Sequence, residues 1–427
     1  MKAIIEGDSK IRGSVKAPPS KSYTHRAFIA AMLSEGETFI GNPLSSADTE
    51  ATLKACEAFG AETEEAKGGI IIRGVERLKA PSQPINCRES ASTLRFLIPV
   101  AALAEGKTVL TGEGSLLNRP VGPLVEALRK IGVKCWSKDG KPPVLVEGPS
   151  LRGGEISLPG NVSSQFFSGL IFACPLAERN SEVKVEGRLE SKPYVDLTVH
   201  VVSRHGVRVE ILGDHEAFKI PGGQRYRAAV HKVPGDFSSA SFLMAAAALT
   251  SEEGLKVEGL NLELQNQPDI EIINVLRGMG ARVEAESFHV KVSKGNLRGI
   301  TFNAEDWPDL VPVVAALACH AEGETRITGA GRLRIKESDR LAALSRELSK
   351  MGVKVEEKAD GLVLRGGRVH GAEIDPHGDH RIAMACAVAA LKAEGETVIF
   401  NAECVGKSYP EFFQVLRELG GRVKLVE

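Results

Sequence analysis

The sequence predicts an α/β protein of two domains, each made of three βαβαββ repeats with buried helices and outer sheets. Two phrases that keep step along the chain, and helices apolar on every side, predict it. The first phrase is an apolar helix, a turn and a strand, with turns at Glu35-Gly36-Glu37-Thr38, Glu105-Gly106-Lys107-Thr108, Glu322-Gly323-Glu324-Thr325 and Glu394-Gly395-Glu396-Thr397. Weaker copies, Arg179-Asn180-Ser181-Glu182 and Glu253-Gly254-Leu255-Lys256, fill the gap. The second phrase is a helix ending at a glycine before a short strand, at Gly60, Gly132, Gly206, Gly280, Gly352 and Gly420, with spacings of 72, 74, 74, 72 and 68 residues. Two independent phrases in step at about seventy residues define six copies of one unit. Each glycine suits a helix C-terminus that needs φ > 0, and the β-branched run after it, as in Val207-Arg208-Val209 or Val353-Lys354-Val355, suits a strand. Helices such as Ala27 to Leu33 and Val313 to Cys319 are apolar nearly all round, which marks them as interior. So long a period does not suit a thin solenoid, and three units are expected to close around each of two cores.

Taken from the N-terminus, the strands Ala3 to Ile5 and Ser14 to Lys16 lack a preceding unit, while the last unit ends at Lys424-Leu425-Val426 without its final strands. The termini are therefore expected to meet. That puts residues 1–16 with 234–427 in one domain and 17–233 in the other, with crossings near Ala17-Pro18 and Val233-Pro234-Gly235. Two crossings suggest a hinge and a cleft that shuts on a ligand. The length of 427 residues, 43% of them hydrophobic, exceeds one ordinary core. Seven cysteines form an odd set with no close pair, which argues against a disulfide framework and a zinc site, so they read as small buried hydrophobes. A net charge of −1 excludes a globally basic nucleic-acid binder. The opening apolar run breaks at Glu6, too early for a secretory signal, and runs such as Phe242 to Leu249 are too short to span a bilayer. A cytoplasmic location, with no membrane partner, is expected.

The junction before each unit's first helix is where the copies diverge. In order the junctions read Lys21-Ser22, Glu89-Ser90-Ala91-Ser92-Thr93, Val162-Ser163-Ser164-Gln165, Asp236-Phe237-Ser238-Ser239, Trp307-Pro308-Asp309 and Gly378-Asp379-His380-Arg381. A helix start is an anion site, because its first amides lack internal partners and carry about half a positive charge. In Ser20-Lys21-Ser22-Tyr23-Thr24-His25-Arg26 either serine can cap, Lys21 adds a point charge, and Arg26 can offer a planar fork. One such stretch would be an ordinary capped surface helix. Six different sets of cations, hydroxyls, an amide and carboxylates at matching places point instead to a shared site.

Further polar segments precede other helices. Arg332-Leu333-Arg334-Ile335-Lys336-Glu337-Ser338-Asp339-Arg340 runs into a helix from Leu341, and Lys336 and Arg340 are expected one turn apart on one face, with Glu337 beside them. Four cations at a helix start oppose its dipole and suit a highly anionic ligand, whose charge would let Glu337 carry a proton. Asn118-Arg119-Pro120, Ser191-Lys192-Pro193-Tyr194 and Cys404-Val405-Gly406-Lys407-Ser408 repeat the pattern of a basic residue ahead of a helix.

With these motifs in order over the full length, the chain resembles the 5-enolpyruvylshikimate-3-phosphate synthase family of the shikimate pathway. The resemblance implies the two-domain fold of six repeats, transfer of an enolpyruvyl group from phosphoenolpyruvate to the 5-hydroxyl of shikimate 3-phosphate, and no metal or organic cofactor; a monomer is expected. It implies that Lys21, Ser22, Arg26, Ser163, Ser164, Gln165, Ser191, Tyr194, Asp309 and Lys336 hold shikimate 3-phosphate. Lys21, Ala91, Arg119, Gln165, Arg340, Arg381 and Lys407 would meet phosphoenolpyruvate. Asp309 would act as base for the 5-hydroxyl, Glu337 as acid for the methylene carbon, with Lys21 also in the catalytic set and His380 behind the ligand contacts. The chain departs from the family at Glu89-Ser90-Ala91-Ser92, where Asn, a variable residue, Gly and Thr are usual, and at Arg332, where Asn is frequent. The methyl of Ala91 is expected to crowd the inhibitor glyphosate. A sister enzyme that acts on UDP-N-acetylglucosamine characteristically carries a cysteine near Arg119, and Gly112 to Val121 has none. A non-catalytic anion-binding repeat protein would gain nothing from Asp309 and Glu337.

Overall fold

The computed structural model describes residues 1–264 and 267–427. The chain forms two compact units, one of Met1–Pro18 with Pro234–Glu427 and one of Pro19–Val233.

In the unit Pro19–Val233 the helices are α1 (Lys21–Met32), α2 (Ala47–Ala58), α3 (Ala91–Ala101), α4 (Gly122–Lys130), α5 (Ser164–Ala173) and α6 (Lys192–Arg204). Each repeat contributes a four-stranded sheet of one pattern. Gly106–Thr111 has a parallel neighbour, Ile85–Asn86, on one side and the antiparallel hairpin Lys134–Lys138 with Lys141–Gly148 on the other. Gly154–Pro159, Ser181–Glu186, Ala217–Ile220 and Glu210–Leu212 repeat that order. The first helix of each repeat is interior: every residue of α1 from Tyr23 to Met32 is buried, and α3 meets α5 through Phe96 and Phe172, with ring centroids 5.5 Å apart. An interior helix cannot afford a polar face, which is why periodicity there is faint.

The remaining helices, α7 (Phe237–Thr250), α8 (Ile272–Met279), α9 (Val311–Ala318), α10 (Arg340–Lys350), α11 (His380–Ala390) and α12 (Phe412–Glu418), belong to the unit of Met1–Pro18 with Pro234–Glu427. All residues of α7, α9 and α11 are buried. The last sheet is completed from the other end of the chain: Lys2–Glu6 lies antiparallel between Glu396–Ile399 and Val423–Val426, with Lys2 opposite Val426.

At both crossings the strand ahead of a helix does not join that helix's own repeat. Gly13–Lys16, which precedes α1, runs parallel to Leu255–Glu258, and Val230–Lys232, which precedes α7, runs parallel to Glu37–Gly41. The six glycines that close the second helices all have positive φ, from 80° at Gly206 to 105° at Gly60 and Gly420. A methyl group at Gly420 would also lie 2.4 Å from the Lys10 carbonyl oxygen. Six of the seven cysteines are buried, and Cys404 is half-buried. Among the described residues no helix is long and apolar enough to cross a membrane.

Candidate active site

Five of the six junctions use a side chain to cap the helix that follows. Ser20 accepts from Tyr23 N at 3.3 Å, Ser90 from Thr93 N at 3.3 Å and Ser163 from Gln165 N at 3.3 Å. Asp236 accepts from Ser238 N at 3.1 Å and Asp379 from Arg381 N at 3.0 Å. The fifth junction is the exception: Asp309 lies in the single 3-10 turn Pro308–Leu310 ahead of α9 and makes no cap. Its carboxylate is bound by cations.

In the unit Pro19–Val233, Lys21 Nζ bonds Asp48 Oδ2 at 2.9 Å, and Asp48 stands in the first turn of α2, where the helix field favours a carboxylate. Arg26, 2% exposed, donates to Thr198 Oγ1 at 2.8 Å, the Ser22 carbonyl at 2.9 Å and the Tyr194 carbonyl at 2.8 Å. These acceptors are neutral, and burial pulls its pKa down to about 9, so the guanidinium keeps a positive charge that a nearby anion would balance. Ser22 and Tyr194 are half-buried, and Ser163 and Ser164 are buried at the start of α5. Gln165 Nε2 donates to Ser92 Oγ at 2.8 Å. Ser191, buried ahead of α6, has φ 57°, a left-handed conformation that costs about 1 kcal/mol or more in a non-glycine residue. Arg119, also buried, follows the 3-10 turn Gly114–Asn118, whose start is held where Glu89 accepts from Ser115 N at 2.9 Å and Ser115 Oγ at 3.0 Å. Ala91 is the buried first residue of α3.

In the other unit the predicted residues meet at Asp309. Arg340 Nη1 lies 2.9 Å from its Oδ1, Arg381 Nη2 3.1 Å from its Oδ2 and Lys336 Nζ 3.8 Å from Oδ1. Burial alone would push the Asp309 carboxyl up, but Arg381, Lys336 and Arg340 outweigh it and hold it well below the usual carboxylate range. Arg340, 1% exposed, also reaches Glu337 Oε2 at 2.8 Å and Asp379 Oδ2 at 2.8 Å. Burial opposes its charge, yet Asp379, Glu337 and Asp309 raise its pKa above the ordinary value. Lys407 is buried at the end of the 3-10 turn Ala402–Lys407, and His380 Nδ1 lies 3.7 Å from Asp379 Oδ1.

One expectation is corrected. Lys336 and Arg340 do not share a helix face, because α10 begins at Arg340 and Lys336 lies in the bend before it. Both nonetheless reach Asp309, since the bend turns Lys336 back. Arg334 faces elsewhere, to Glu357 at 2.7 Å and the carbonyls of Lys358 and Ala359. Three residues the sequence did not single out support the site. Asp48 tethers Lys21, Arg95 binds Gln165 at 2.9 Å, and Glu347 accepts from Asp375 N at 3.1 Å and His377 Nε2 at 3.0 Å, holding the turn ahead of Asp379-His380-Arg381.

Three cations, Lys336, Arg340 and Arg381, stand against three carboxylates, Asp309, Glu337 and Asp379, in one largely buried cluster. Buried cations gathered at helix starts, with carboxylates among them that can move protons, define an enzyme class that acts on small, highly anionic metabolites. The sequence model of the EPSP synthase (3-phosphoshikimate 1-carboxyvinyltransferase) family matches residues 5–416. A 3-phosphoshikimate 1-carboxyvinyltransferase of Methanocella arvoryzae is 46% identical over 422 residues, covering 98% of each chain. One of Methanosarcina mazei is 46% identical over 431 residues, covering 99% of each. An EPSP synthase structure from Acinetobacter baumannii superimposes with TM-score 0.84 at 28% identity, over 100% of this chain and 99% of that one. The chain belongs to the EPSP synthase family.

Proposed function

We propose that this chain transfers the enolpyruvyl group of phosphoenolpyruvate to the 5-hydroxyl of shikimate 3-phosphate and releases phosphate, a step of aromatic amino acid biosynthesis. The observation that carries the reading is the cluster in which Arg340 binds Asp309, Glu337 and Asp379 at once, with Arg381 and Lys336 on Asp309. Within the cluster the cations are balanced by the protein's own carboxylates. An arriving phosphate or carboxylate competes for the same guanidinium hydrogens, and each cation drawn away returns basicity to Asp309 and Glu337.

Asp309 then takes the proton of the 5-hydroxyl as its oxygen bonds the central carbon of phosphoenolpyruvate, while Glu337 protonates the methylene carbon. The tetrahedral adduct that results loses phosphate as a proton returns from the methyl group to Glu337, restoring the double bond, and the proton held by Asp309 leaves with the phosphate. Lys21, Ser22, Arg26, Ser163, Ser164, Gln165, Ser191, Tyr194, Asp309 and Lys336 serve shikimate 3-phosphate in this reading. Lys21, Ala91, Arg119, Gln165, Arg340, Arg381 and Lys407 serve phosphoenolpyruvate. Positive charge around the departing phosphate stabilises it as it forms. The same reading makes the protein a cytoplasmic monomer that works without metal or organic cofactor. Phosphate release from phosphoenolpyruvate, measured with and without shikimate 3-phosphate, tests it: release only when both are present is expected, and none from the wild type would refute it.

A further inference from the structure

Arg95 lies in α3 and is 3% exposed. Its Nη1 donates to Gln165 Oε1 at 2.9 Å and to Ser163 Oγ at 3.2 Å, and its Nη2 donates to the Pro120 carbonyl at 2.9 Å. The guanidinium also lies 5.3 Å from the centroid of the Phe166 ring. One planar fork thus joins α3 to the start of α5 and to the carbonyl of Pro120, the residue after Arg119.

The chemistry of the pair dictates an orientation. A guanidinium can only donate, so the Gln165 amide atom that faces Arg95 must be the oxygen. Nε2 is then on the far side, where one of its two hydrogens goes to Ser92 Oγ at 2.8 Å and the second is a further donor. If Arg95 were neutral or absent, nothing in these contacts would forbid the amide from turning over, since a serine hydroxyl donates as well as accepts. Pro120 directly follows Arg119, so anchoring its carbonyl also restrains the backbone from which the Arg119 side chain springs.

We infer that Arg95 is a positioning residue for phosphoenolpyruvate: without touching the ligand, it sets the Gln165 amide with its donor end outward and steadies Arg119. The inference rests on the assignment of Gln165 and Arg119 to that substrate.

Steady-state kinetics of Arg95→Lys, Gln165→Ala, the double variant and Gln165→Glu, with thermal unfolding of each, test it. Arg95→Lys keeps the charge but loses the fork, and is expected to raise KM for phosphoenolpyruvate about 10- to 100-fold with a smaller change in kcat. Adding Gln165→Ala to it is expected to change kcat/KM by less than about threefold, against about tenfold or more in the wild-type background. Gln165→Glu leaves Arg95 intact. It is expected to pair with Arg95, melt no lower than the wild type, and yet weaken phosphoenolpyruvate more than Gln165→Ala does, because an acceptor replaces the outward donor. Arg95→Lys with KM within about twofold of wild type, or losses that multiply independently, would overturn the positioning role. If Arg95→Lys does not unfold cooperatively, Gln165→Glu decides: a KM equal to that of Gln165→Ala overturns the role. A wild type inactive on the two substrates overturns the functional reading as well, whereas an active wild type with unmoved variants overturns the role of Arg95 alone.

Discussion

Asp309 is a carboxylate with three cations on it, and under the proposed mechanism that sets how it would work as a base. While Arg340, Arg381 and Lys336 hold it, its proton affinity is low. In the proposed mechanism the substrate anions first loosen that hold. Asp309→Ala and Glu337→Ala are each expected to lower kcat by about 10²- to 10⁴-fold, the usual worth of a positioned base or acid, and near-normal turnover in either would refute its role. Ala91→Gly removes the methyl at the first residue of α3, and stronger glyphosate inhibition is the expected outcome; unchanged inhibition constants would dismiss the crowding argument. At this scale the candidate hydroxyls and cations were legible because unlike polar residues fall at matching junctions. Their supports were not. Asp48 lies 27 residues from Lys21, Gln165 lies 70 from Arg95 and Glu347 lies 28 from Asp375, and no local pattern announces such pairs.

Between elements, the start of α1 is tied to the end of α6 and to the strand Val230–Lys232 by a chain of hydrogen bonds with one possible direction. His205 Nδ1 lies 2.8 Å from the Arg227 carbonyl and must donate to it, so His205 Nε2 accepts from His231 Nε2 at 2.9 Å. His231 Nδ1 then accepts from the Tyr23 hydroxyl at 3.0 Å. A proton added to His205 Nε2 sets two donors against each other and breaks the chain, whereas one added to His231 Nδ1 reverses its bond to the Tyr23 hydroxyl. Burial, with Arg204 nearby, lowers His205 to about 4, and burial, with His205, Arg204 and His200 nearby, lowers His231 to about 3. The folded form therefore binds fewer protons than the unfolded one below the ordinary histidine value. Stability is complete above about pH 6.5 and is lost as pH falls towards 4 and 3, by up to about 1.4 kcal/mol per pH unit per histidine. Urea midpoints from pH 7 to 4 should fall less steeply for His231→Gln than for the wild type; parallel slopes would exclude the network as the cause. Helix boundaries were legible from caps and glycines. The bend that carries Lys336 was not, because Arg332 to Arg340 has the composition of a helix start while Asp339, the actual cap, stands three residues further on.

Across the molecule, sixfold duplication was the most legible feature, since two phrases must slip together to be missed. The partners of the strands at the crossings were not, because parallel pairing of Gly13–Lys16 with Leu255–Glu258 leaves no trace in either segment alone. Lys2–Glu6 is a central strand between Glu396–Ile399 and Val423–Val426, so deleting residues 1–6 strips two sheet neighbours of their ladder bonds. Limited proteolysis of that truncation should cut first within 234–427 and leave fragments of 19–233 standing; the opposite order would show that the strand is dispensable. The pairing of Lys2 with Val426 has another consequence. A backbone whose two ends already run side by side can be closed into a ring by a short glycine-serine tether and reopened at the exposed hairpin tip Lys67-Gly68, giving a circular permutant that keeps every strand in its register and begins its synthesis in the middle of what is now the first repeat.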